Sequence, residues 1–419
     1  MSKKIMKNIP KLRFPEFVNN VEWEKKRFSK YIKLYRGSSP RPIQNYLTQS
    51  NIGVNWIKIG DTKNAINFKI KKVEEKITLN GAEKSRKVNV GELILANSMS
   101  FGKTYELEID GCIYDGWFVL REYEEYFHKP FLLQFLNSEY MQKQYNKLSA
   151  GGIVQNISSE IVNQTILFHT AIQEQKKIAD CLNSIDSLIS AQSQKVELLK
   201  EHKNGLLQNL FPKDGENIPK IRFCEFKDSQ KWKQKKLGIL TKVIVGGTPS
   251  TIESSYWNDG IINWLSSGDI NNGIIKQASK LITPLGLEKS SAKLMPPNTV
   301  VLAMTGATLG RIGYLAIETS GNQSVAGLIP NKEYNSKFLF YLLQKNTNTI
   351  LSMAGGAAQA GINKATIESL EFYFPLINEQ KKIADCFTSI DEEINLQSQK
   401  LDALKEHKKA LLQQLFPKL

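Results

Sequence analysis

Apolar residues recur at alternating steps of three and four positions along two long stretches of this 419-residue chain, 174–212 and 379–417. A period of 3.5 residues sustained over such a length is typical of a coiled-coil seam. The pattern therefore predicts two helices of roughly 39 residues, each about 58 Å long, that pack along matching seams. The predicted seam residues are Ile178, Leu182, Ile185, Ile189, Leu199 and Leu206 in the first helix, and Ile383, Phe387, Ile390, Ile394, Leu404 and Leu411 in the second.

The two stretches are copies of one another. They are offset by 205 positions and are identical at 27 of 39 aligned residues. Both seams are interrupted at the same places by polar residues, Gln192 and Lys203 in the first copy and Gln397 and Lys408 in the second. Polar residues in a seam lower stability but help to fix register and partner. We expect each copy to pair with the other; two separate amphipathic helices, each lying on its own domain, are the alternative.

The duplication continues outside the helices. The segment Asn8-Ile-Pro-Lys-Leu-Arg-Phe14 returns at 217–223, and Trp56-Ile-Lys-Ile-Gly-Asp61 has the counterpart Trp264-Leu-Ser-Ser-Gly-Asp269. Between such matching positions the residues differ widely. Divergence within a preserved frame is expected of two domains that read different targets, although neutral drift on a plain scaffold would give the same pattern.

Each diverged region has the pattern of a mixed α/β domain with short strands. Apolar runs at 90–98, 111–120 and 298–306 predict strands, and 130–147 and 335–352 have helical periodicity. The boundary between the halves is placed in a segment rich in proline and glycine. The predicted order is a first domain at 1–165, a first conserved helix at 166–212, a linker at 213–228, a second domain at 229–370 and a second conserved helix at 371–419.

The net charge of the chain indicates what kind of partner it binds. The chain has a formal net charge of +15 and a pI near 9.3, which favours nucleic acid as the partner and an anionic membrane surface as a second possibility. No window of 18 apolar residues occurs and no apolar run follows the N-terminal lysines, so we expect a cytoplasmic protein without a membrane span or signal peptide. The four cysteines form no CxxC pair and are expected to be packing residues.

The sequence lacks the motifs of an enzyme. The stretch 97–104 resembles a phosphate-binding loop, but Asn97 stands where that loop needs glycine, so nucleotide binding is not expected. The four histidines do not cluster as zinc ligands. The repeated Asp61 and Asp269 are expected to cap a turn or a helix. We therefore expect neither a catalytic site nor a bound metal or cofactor in this chain.

Loop positions in both diverged regions carry side chains suited to nucleic acid. Arginine and lysine can bind phosphate or guanine, and asparagine and glutamine can bind adenine. Taken singly, each is more simply explained as a solvated side chain, and the hypothesis rests on the set. The candidate DNA-binding residues are Arg36, Ser38, Arg41, Gln44, Lys58, Asn97, Ser98 and Lys103 in the first region, and Thr248, Ser250, Ser266, Ser267, Thr305, Thr308, Arg311, Gln323 and Gln359 in the second.

A known family shares these features. The two helices that carry EQKKIAD-CxxSID and end in LLQxLFP resemble the conserved regions of specificity subunits of type I restriction–modification systems. The diverged halves resemble the target-recognition domains of those subunits, so that the resemblance covers essentially the whole chain. It implies an α/β fold in which two divergent target-recognition domains are separated by two long antiparallel coiled-coil helices, in a pseudo-twofold internal repeat.

The resemblance also implies a function. Each target-recognition domain would read one half of a bipartite, asymmetric site in double-stranded DNA, with an unread spacer between the halves. Such a subunit has no catalysis of its own. It would bind two methylation (M) subunits, which use S-adenosylmethionine to methylate adenine, and two restriction (R) subunits, which translocate and cut DNA with ATP and magnesium.

A stand-alone DNA-binding regulator or architectural protein is the alternative. Regulators commonly carry a short helix-turn-helix with a compact basic recognition helix, and no such segment is evident in this sequence. A scaffold that uses the helices only for protein assembly would leave the net charge of +15 and the paired diverged domains unexplained.

Overall fold

The computed structural model describes residues 8–98, 102–149, 157–331, 333–354 and 361–417. The chain divides into two compact units. The first unit contains the described residues up to Ser193 together with those from Gln399 onward, and the second runs from Gln194 to Ser398. This division groups residues that pack together, and it leaves the domain boundaries proposed from the sequence as predictions.

Short strands and a few helices precede the first long helix. In chain order the strands are β1 (Glu24–Arg27), β2 (Lys33–Arg36), β3 (Leu47–Thr48), β4 (Val54–Ile57), β5 (Lys69–Ile70), β6 (Glu75–Ile77), β7 (Arg86–Val88), β8 (Leu93–Ala96), β9 (Thr104–Leu107), β10 (Gly111–Ile113), β11 (Trp117–Arg121) and β12 (Ile166–His169). The helices are α1 (Leu79–Glu83), α2 (Lys129–Leu136), α3 (Glu139–Ser149), α4 (Ser159–Gln164) and the long α5 (Ile172–Asn209).

The second half of the chain repeats this order with small variations. Its strands are β13 (Lys233–Lys236), β14 (Thr241–Val245), β15 (Ile262–Leu265), β16 (Ile274–Ile275), β17 (Lys280–Ile282), β18 (Val300–Ala303), β19 (Ile312–Leu315), β20 (Ser320–Gly321), β21 (Val325–Pro330) and β22 (Glu371–Phe374). Its helices are α6 (Leu237–Leu240), α7 (Pro284–Glu288), α8 (Ser336–Lys345), α9 (Thr347–Ser352), α10 (Lys364–Ser369) and the long α11 (Ile377–Leu415).

The first unit contains two five-stranded sheets, with the orders β3-β6-β4-β10-β7 and β2-β11-β8-β9-β5, and a two-stranded sheet of β1 and β12. Strand β8 is buried on both faces, which explains its unbroken apolar sequence. Leu93 and Leu95 point into a core shared with helices α2 and α5, whereas Ile94 and Ala96 point into a second core on the opposite face of the sheet.

The second unit repeats one sheet closely and shortens the other. Its sheets have the orders β14-β21-β18-β19-β16 and β17-β15-β20. Strand β18 occupies the place of β8 and is again buried on both faces. Val300 and Leu302 face the core that contains α8 and the long helices, and Val301 and Ala303 face the smaller core behind the sheet.

Every predicted seam residue of the long helices is buried or half-buried. In the first unit, Ile178 and Leu182 of α5 share a core with Leu415 at the end of α11. In the second unit, Phe387 near the start of α11 shares a core with Leu210, which follows the end of α5. Within each unit, therefore, the start of one helix packs against the end of the other, as antiparallel segments do.

The polar interruptions of the seam include two matching ion pairs. In the first unit, Lys408 Nζ lies 2.6 Å from Asp186 Oδ1, and in the second unit Lys203 Nζ lies 2.6 Å from Asp391 Oδ1. All four residues are identical between the two copies of the helix. A lysine in the seam of one copy thus meets an aspartate of the other copy, which accounts for polar residues at those seam positions.

A buried glutamate at the start of each long helix binds the segment that opens each half. The guanidinium of Arg13 donates to both carboxylate oxygens of Glu174 at 2.7 and 2.8 Å, and Trp23 Nε1 donates to Oε1 at 3.4 Å. Arg222, Glu379 and Trp232 repeat this arrangement in the second unit at 2.7, 2.6 and 3.3 Å. The repeat of the arginine, the tryptophan and the glutamate in sequence is therefore structural.

The prediction of one strand over 111–120 is wrong, because the chain turns in the middle of this run. β10 and β11 belong to different sheets, and a hydrogen bond of 3.1 Å from Trp117 N to Tyr114 O closes a turn between them. Cys112, Ile113 and Tyr114 are followed by the apolar residues of β11, so the apolar pattern is continuous apart from Asp115 and Gly116.

Candidate nucleic-acid interface

Two loop segments meet at corresponding places in each unit. We call residues 37–41, which follow β2, and 246–250, which follow β14, the glycine loops. We call residues 114–116, between β10 and β11, and 322–324, between β20 and β21, the central turns. In each unit the glycine loop and the central turn lie side by side because the strands that they extend are paired, β2 with β11 and β14 with β21.

Backbone hydrogen bonds join each glycine loop to the residues on either side of the central turn. Gly37 N donates to Trp117 O at 2.9 Å, and Ser38 N donates to Ile113 O at 3.1 Å. The counterparts in the second unit are the bonds from Gly246 N to Val325 O at 3.0 Å and from Gly247 N to Gly321 O at 2.7 Å. The same backbone frame therefore supports both pairs of segments.

The approach of the two segments requires glycine. A Cβ atom on Gly37 would lie 2.0 Å from the carbonyl oxygen of Tyr114, and one on Gly246 would lie 2.1 Å from that of Gly321. Both distances are far inside van der Waals contact with backbone atoms, which cannot move aside as a side chain can. A larger residue would separate the glycine loop from the central turn.

Asp115 is the meeting point of the candidate residues in the first unit. Its carbonyl oxygen accepts hydrogen bonds from Asn97 Nδ2 at 2.8 Å and from Arg36 Nε at 3.3 Å. Its carboxylate accepts a hydrogen bond from Ser39 Oγ at 2.7 Å, and Arg41 Nη2 lies 3.9 Å from the other oxygen. The candidates Arg36, Arg41 and Asn97, which are 61 positions apart at most, thus converge on one turn.

Arg41 and Lys58 line a groove of about 420 Å³ beside this turn, together with the rings of Trp56 and Tyr114. Lys58 is paired with Glu75, so that its charge is partly neutralised. Burial raises the pKa of Tyr114, and a hydrogen bond with Ser98 acts in the opposite direction. The candidates Lys58 and Ser98 are therefore also neighbours of the central turn.

Two further basic residues surround the first glycine loop. The hydroxyl of Ser38 lies 3.4 Å from the carbonyl oxygen of Lys84, to which it donates, and Arg86 Nε donates to Arg36 O at 3.1 Å. Lys84 is exposed and Arg86 is half-buried. With Arg36 and Arg41, they give this loop a positively charged surface suited to phosphate.

In the second unit the candidate residues converge on the central turn through hydroxyl groups. Thr248 Oγ1 donates to Gln323 Oε1 at 2.5 Å, and Thr305 Oγ1 donates to Ser324 Oγ at 2.7 Å. Gln323 and Thr305 are exposed. This turn thus presents neutral polar groups where the turn of the first unit presents charged ones.

Another group of candidates surrounds the short helical turn Ser267–Asp269. Ser266 donates from both its backbone N, at 2.7 Å, and its hydroxyl, at 2.8 Å, to Asp269 Oδ2. Arg311 is exposed, and its Nη1 lies 3.5 Å from the carbonyl oxygen of Ile270. Asp269 therefore caps this turn, and Asp61 caps its counterpart by accepting from Lys58 N at 2.7 Å, which confirms the capping role expected for both aspartates.

Of the remaining candidates, two belong to the groups described above, two lie elsewhere, and one is outside the described residues. Gln44 lies exposed on the short turn Ile43–Asn45, and Ser250 is exposed at the end of its glycine loop. Lys103 is half-buried, and burial lowers the pKa of its ammonium group. Thr308 donates to Thr305 O at 3.4 Å. Gln359 lies outside the described residues.

Sequence reasoning missed Ser39, Asp115, Lys84 and Arg86. The triplet Tyr-Asp-Gly at 114–116 interrupts an apolar run and is a turn signal, so Asp115 could have been found. Lys84 and Arg86 reach the glycine loop only through sheet pairing, with Arg86 50 positions away from Arg36. No local pattern could have singled them out.

Within the ranges that the structure describes, His, Cys, Asp and Glu do not form a group of three or more able to hold a metal ion. Among the same residues, no helix has both the length and the apolar character needed to cross a lipid bilayer.

Comparison with known proteins gives consistent matches. Residues 229–406 match the family model described as the type I restriction modification DNA specificity domain. The chain is 28% identical over 299 residues to the MjaX protein of Methanocaldococcus jannaschii, which is named as a candidate type I restriction enzyme specificity subunit, and the match covers 69% of this chain and 67% of that protein. It is 26% identical over 181 residues to the specificity subunit of the type I restriction enzyme EcoR124I/EcoR124II of Escherichia coli, covering 42% of this chain and 44% of that subunit.

Solved structures show the same fold. The crystal structure of the S subunit of a type I restriction–modification system from M. genitalium aligns with a TM-score of 0.60 at 15% identity, covering 98% of this chain and 100% of that chain. A chain from a structural study of assembly and conformational transition of the type I restriction–modification system aligns with a TM-score of 0.57 at 17% identity, covering 94% and 97%. The predicted α/β fold class with two long helices is thereby confirmed.

Proposed function

The chain belongs to the family of specificity subunits of type I restriction–modification systems, and we propose that each of its two units reads one half of a bipartite DNA site. The observation that carries this proposal is a repeated backbone frame with different side chains. The glycine loop and the central turn are joined by the same bonds in both units, while Asp115 and Arg41 in one are replaced by Gln323 and Ser250 in the other. Two units that share a backbone frame but present different side chains are suited to a site whose two halves differ in sequence.

The chemistry of the loops supports direct contact with DNA. Arg36, Arg41, Lys84 and Arg86 provide cations that can bind phosphate and position the duplex. Asn97 is buried and holds the turn through Asp115 O, so we assign it a supporting role rather than a base contact. Side chains exposed on the central turns can reach base edges, which carry the sequence information. The net charge of +15 favours association with the polyanion.

The chemistry of methylation and cleavage is assigned to partner subunits in this proposal. Two methylation subunits would supply S-adenosylmethionine, and two restriction subunits would supply ATP and magnesium chemistry. The chain itself would be a non-catalytic subunit of that complex in the cytoplasm. The conserved helices would set the length of the unread spacer and offer each half the same docking surface, since they are identical at 27 of 39 positions.

An exchange of one recognition region tests the proposal. Residues 20–160 are replaced by the equivalent region of another specificity subunit, and the hybrid is expressed with its methylation partner. Single-molecule sequencing of the methylated DNA should show one half of the motif changed and the other half retained, because each half is read by a separate unit.

The matched control is the exchange of the second region, 230–370. It should change the half-site that the first exchange left intact. A motif altered in both halves by either exchange would contradict independent reading. Methylation of a single undivided motif by the parent chain would contradict the bipartite site itself.

A further inference from the structure

We propose that Asp115 and Gln323 are equivalent base-reading residues, and that Asp115 selects a C·G pair in one half-site while Gln323 selects an A·T pair in the other. This inference rests on the proposed function of the two units as DNA readers. Asp115 has no basic or amide group of the kind by which candidate residues were chosen from the sequence. Only its position in the structure singles it out.

The backbone bonds establish that the two residues occupy the same place in their units. Each central turn is closed by one bond, from Trp117 N to Tyr114 O and from Val325 N to Asn322 O, both of 3.1 Å. The residue that follows β8 or β18 donates to the last residue of the central turn. These bonds run from Asn97 N to Gly116 O at 3.0 Å and from Met304 N to Ser324 O at 2.8 Å. In both turns the middle residue, Asp115 or Gln323, lies between these fixed points.

A hydroxyl group at the same position of each glycine loop holds the side chain of that middle residue. Ser39 Oγ lies 2.7 Å from Asp115 Oδ1, and Thr248 Oγ1 lies 2.5 Å from Gln323 Oε1. The Asp115 side chain is 41% exposed, and Gln323 is exposed. A side chain that is already oriented and still solvent-facing loses less conformational freedom when it binds, which suits a residue that must discriminate between bases.

The remaining hydrogen-bonding groups of these side chains define the bases. An ionised carboxylate is an acceptor only, so the free oxygen of Asp115 matches the amino group of cytosine and is repelled by phosphate and by the acceptor edge of guanine. The amide of Gln323 offers an acceptor and a donor together, which matches the N6 and N7 edge of adenine. A carboxylate approaching DNA has no phosphate contact to make, so base reading is the contact left to Asp115.

The neighbouring residues differ in the way that this assignment requires. Arg41 Nη2 lies 3.9 Å from the Asp115 carboxylate, and the guanidinium of Arg36 binds the Asp115 carbonyl oxygen. These cations offset the repulsion between an aspartate and the phosphates of the duplex. Gln323 is neutral, and Ser250 stands at the position equivalent to Arg41. The unit with an aspartate in its central turn thus has an arginine in its glycine loop, and the unit with a glutamine there has a serine.

The test replaces Asp115 by asparagine and Gln323 by glutamate in the complex with the methylation partner. Both variants are near-isosteric and keep an oxygen for the hydroxyl group to bind, so the fold is retained. Methylated sites are sequenced from a library randomised at both half-sites. Asp115→Asn should lower the preference at one base pair of the first half-site by roughly 5- to 150-fold, with the second half-site unchanged. Gln323→Glu should lower the preference at one base pair of the second half-site and leave the first half-site unchanged.

The control variant is Glu108→Gln, which removes the same charge from the first unit at a position that pairs with Lys71. It should leave both half-sites unchanged. An Asp115→Asn motif identical to that of the parent would overturn the assignment while leaving the bipartite function intact. Equal loss of preference at every position of the first half-site would also overturn it, because that result indicates a residue that holds the loop rather than one that reads a base.

Discussion

Replacing Lys408 by methionine is expected to destabilise the first unit by about 3 kcal/mol. The Lys408 ammonium lies 2.6 and 2.8 Å from the two oxygens of the Asp186 carboxylate, and the two side chains are only 14% and 11% exposed. Gln134 Nε2 also donates to Asp186 at 2.8 Å, so one neutral donor would remain. Methionine preserves the packing of the lysine stem. The loss of unfolding free energy therefore measures the cost of burying the Asp186 carboxylate without its cation.

A second substitution separates this effect from lost packing. In the variant Asp186→Asn with Lys408→Met, neither member of this pair is charged and the asparagine oxygen can still accept from Gln134. We expect this double variant to be within about 1 kcal/mol of the parent, so that it recovers about 2 kcal/mol of the stability lost in Lys408→Met alone. Lys203→Met is the matched single variant in the second unit, where Tyr341 OH donates to Asp391 at 2.8 Å in the role of Gln134.

Urea unfolding followed by tryptophan fluorescence is a suitable assay, because Trp23 packs against Phe416 just beyond the end of helix α11. With a denaturant dependence of roughly 2–3 kcal/mol per molar for a unit of this size, the loss lowers the midpoint by about 1 M. Single and double variants destabilised to the same extent would refute the reasoning, since the pair would then contribute packing and no charge coupling.

Two other changes give further tests. His128 opens helix α2 with its buried Nδ1 unpaired, whereas its counterpart Asn335 accepts a hydrogen bond from Phe338 N at 2.9 Å, so His128→Asn should stabilise the chain by about 1 kcal/mol in urea unfolding at pH 8. Burial lowers the pKa of His128, so the folded parent binds fewer protons than the unfolded chain and loses stability as pH falls through about 6.5; the variant should lose less between pH 8 and 5.5, and an equal loss would contradict this. Inserting about one helical turn within 190–200 should lengthen the unread spacer of the methylated motif without altering either half-site; an unchanged spacer would contradict the role proposed for the helices.

The long helices were predictable because their stability is encoded locally and repeatedly. The 3.5-residue period of Ile178, Leu182 and Ile185 continues for the length of the helix, and each of these residues is buried. The polar seam positions were predicted as interruptions, but their partners were not. Lys408 and Asp186 are separated by 222 positions, and sequence periodicity contains no information on which polar residues meet.

The site was harder to predict because it is made by backbone approach between distant segments. Arg36, Arg41 and Gln323 could be chosen as polar loop residues, and whether they contact DNA stays a prediction. Asp115 lies in an apolar run that predicts one strand, although Asp115-Gly116 is a local turn signal, and the contact of this turn with the glycine loop depends on the close approach of Gly37 to Tyr114. A short-range pattern cannot represent a contact that depends on a glycine 77 positions earlier.

The same backbone frame explains how such a chain can change its target while keeping its fold. The bonds that hold the glycine loop beside the central turn join backbone atoms, so they are independent of the side chains at positions 39, 115, 248 and 323. Gln323 is exposed and the other three side chains are half-buried. A substitution at the surface changes stability by about 0.5 kcal/mol or less, whereas one base contact is worth roughly 1–3 kcal/mol of discrimination. Glu174, Asp186 and Lys408 are in the opposite situation, since each makes a buried charged contact whose loss costs several kcal/mol, on the order of 3. The central turns can therefore diverge between the two halves, while these charged residues remain identical to their counterparts in the other copy.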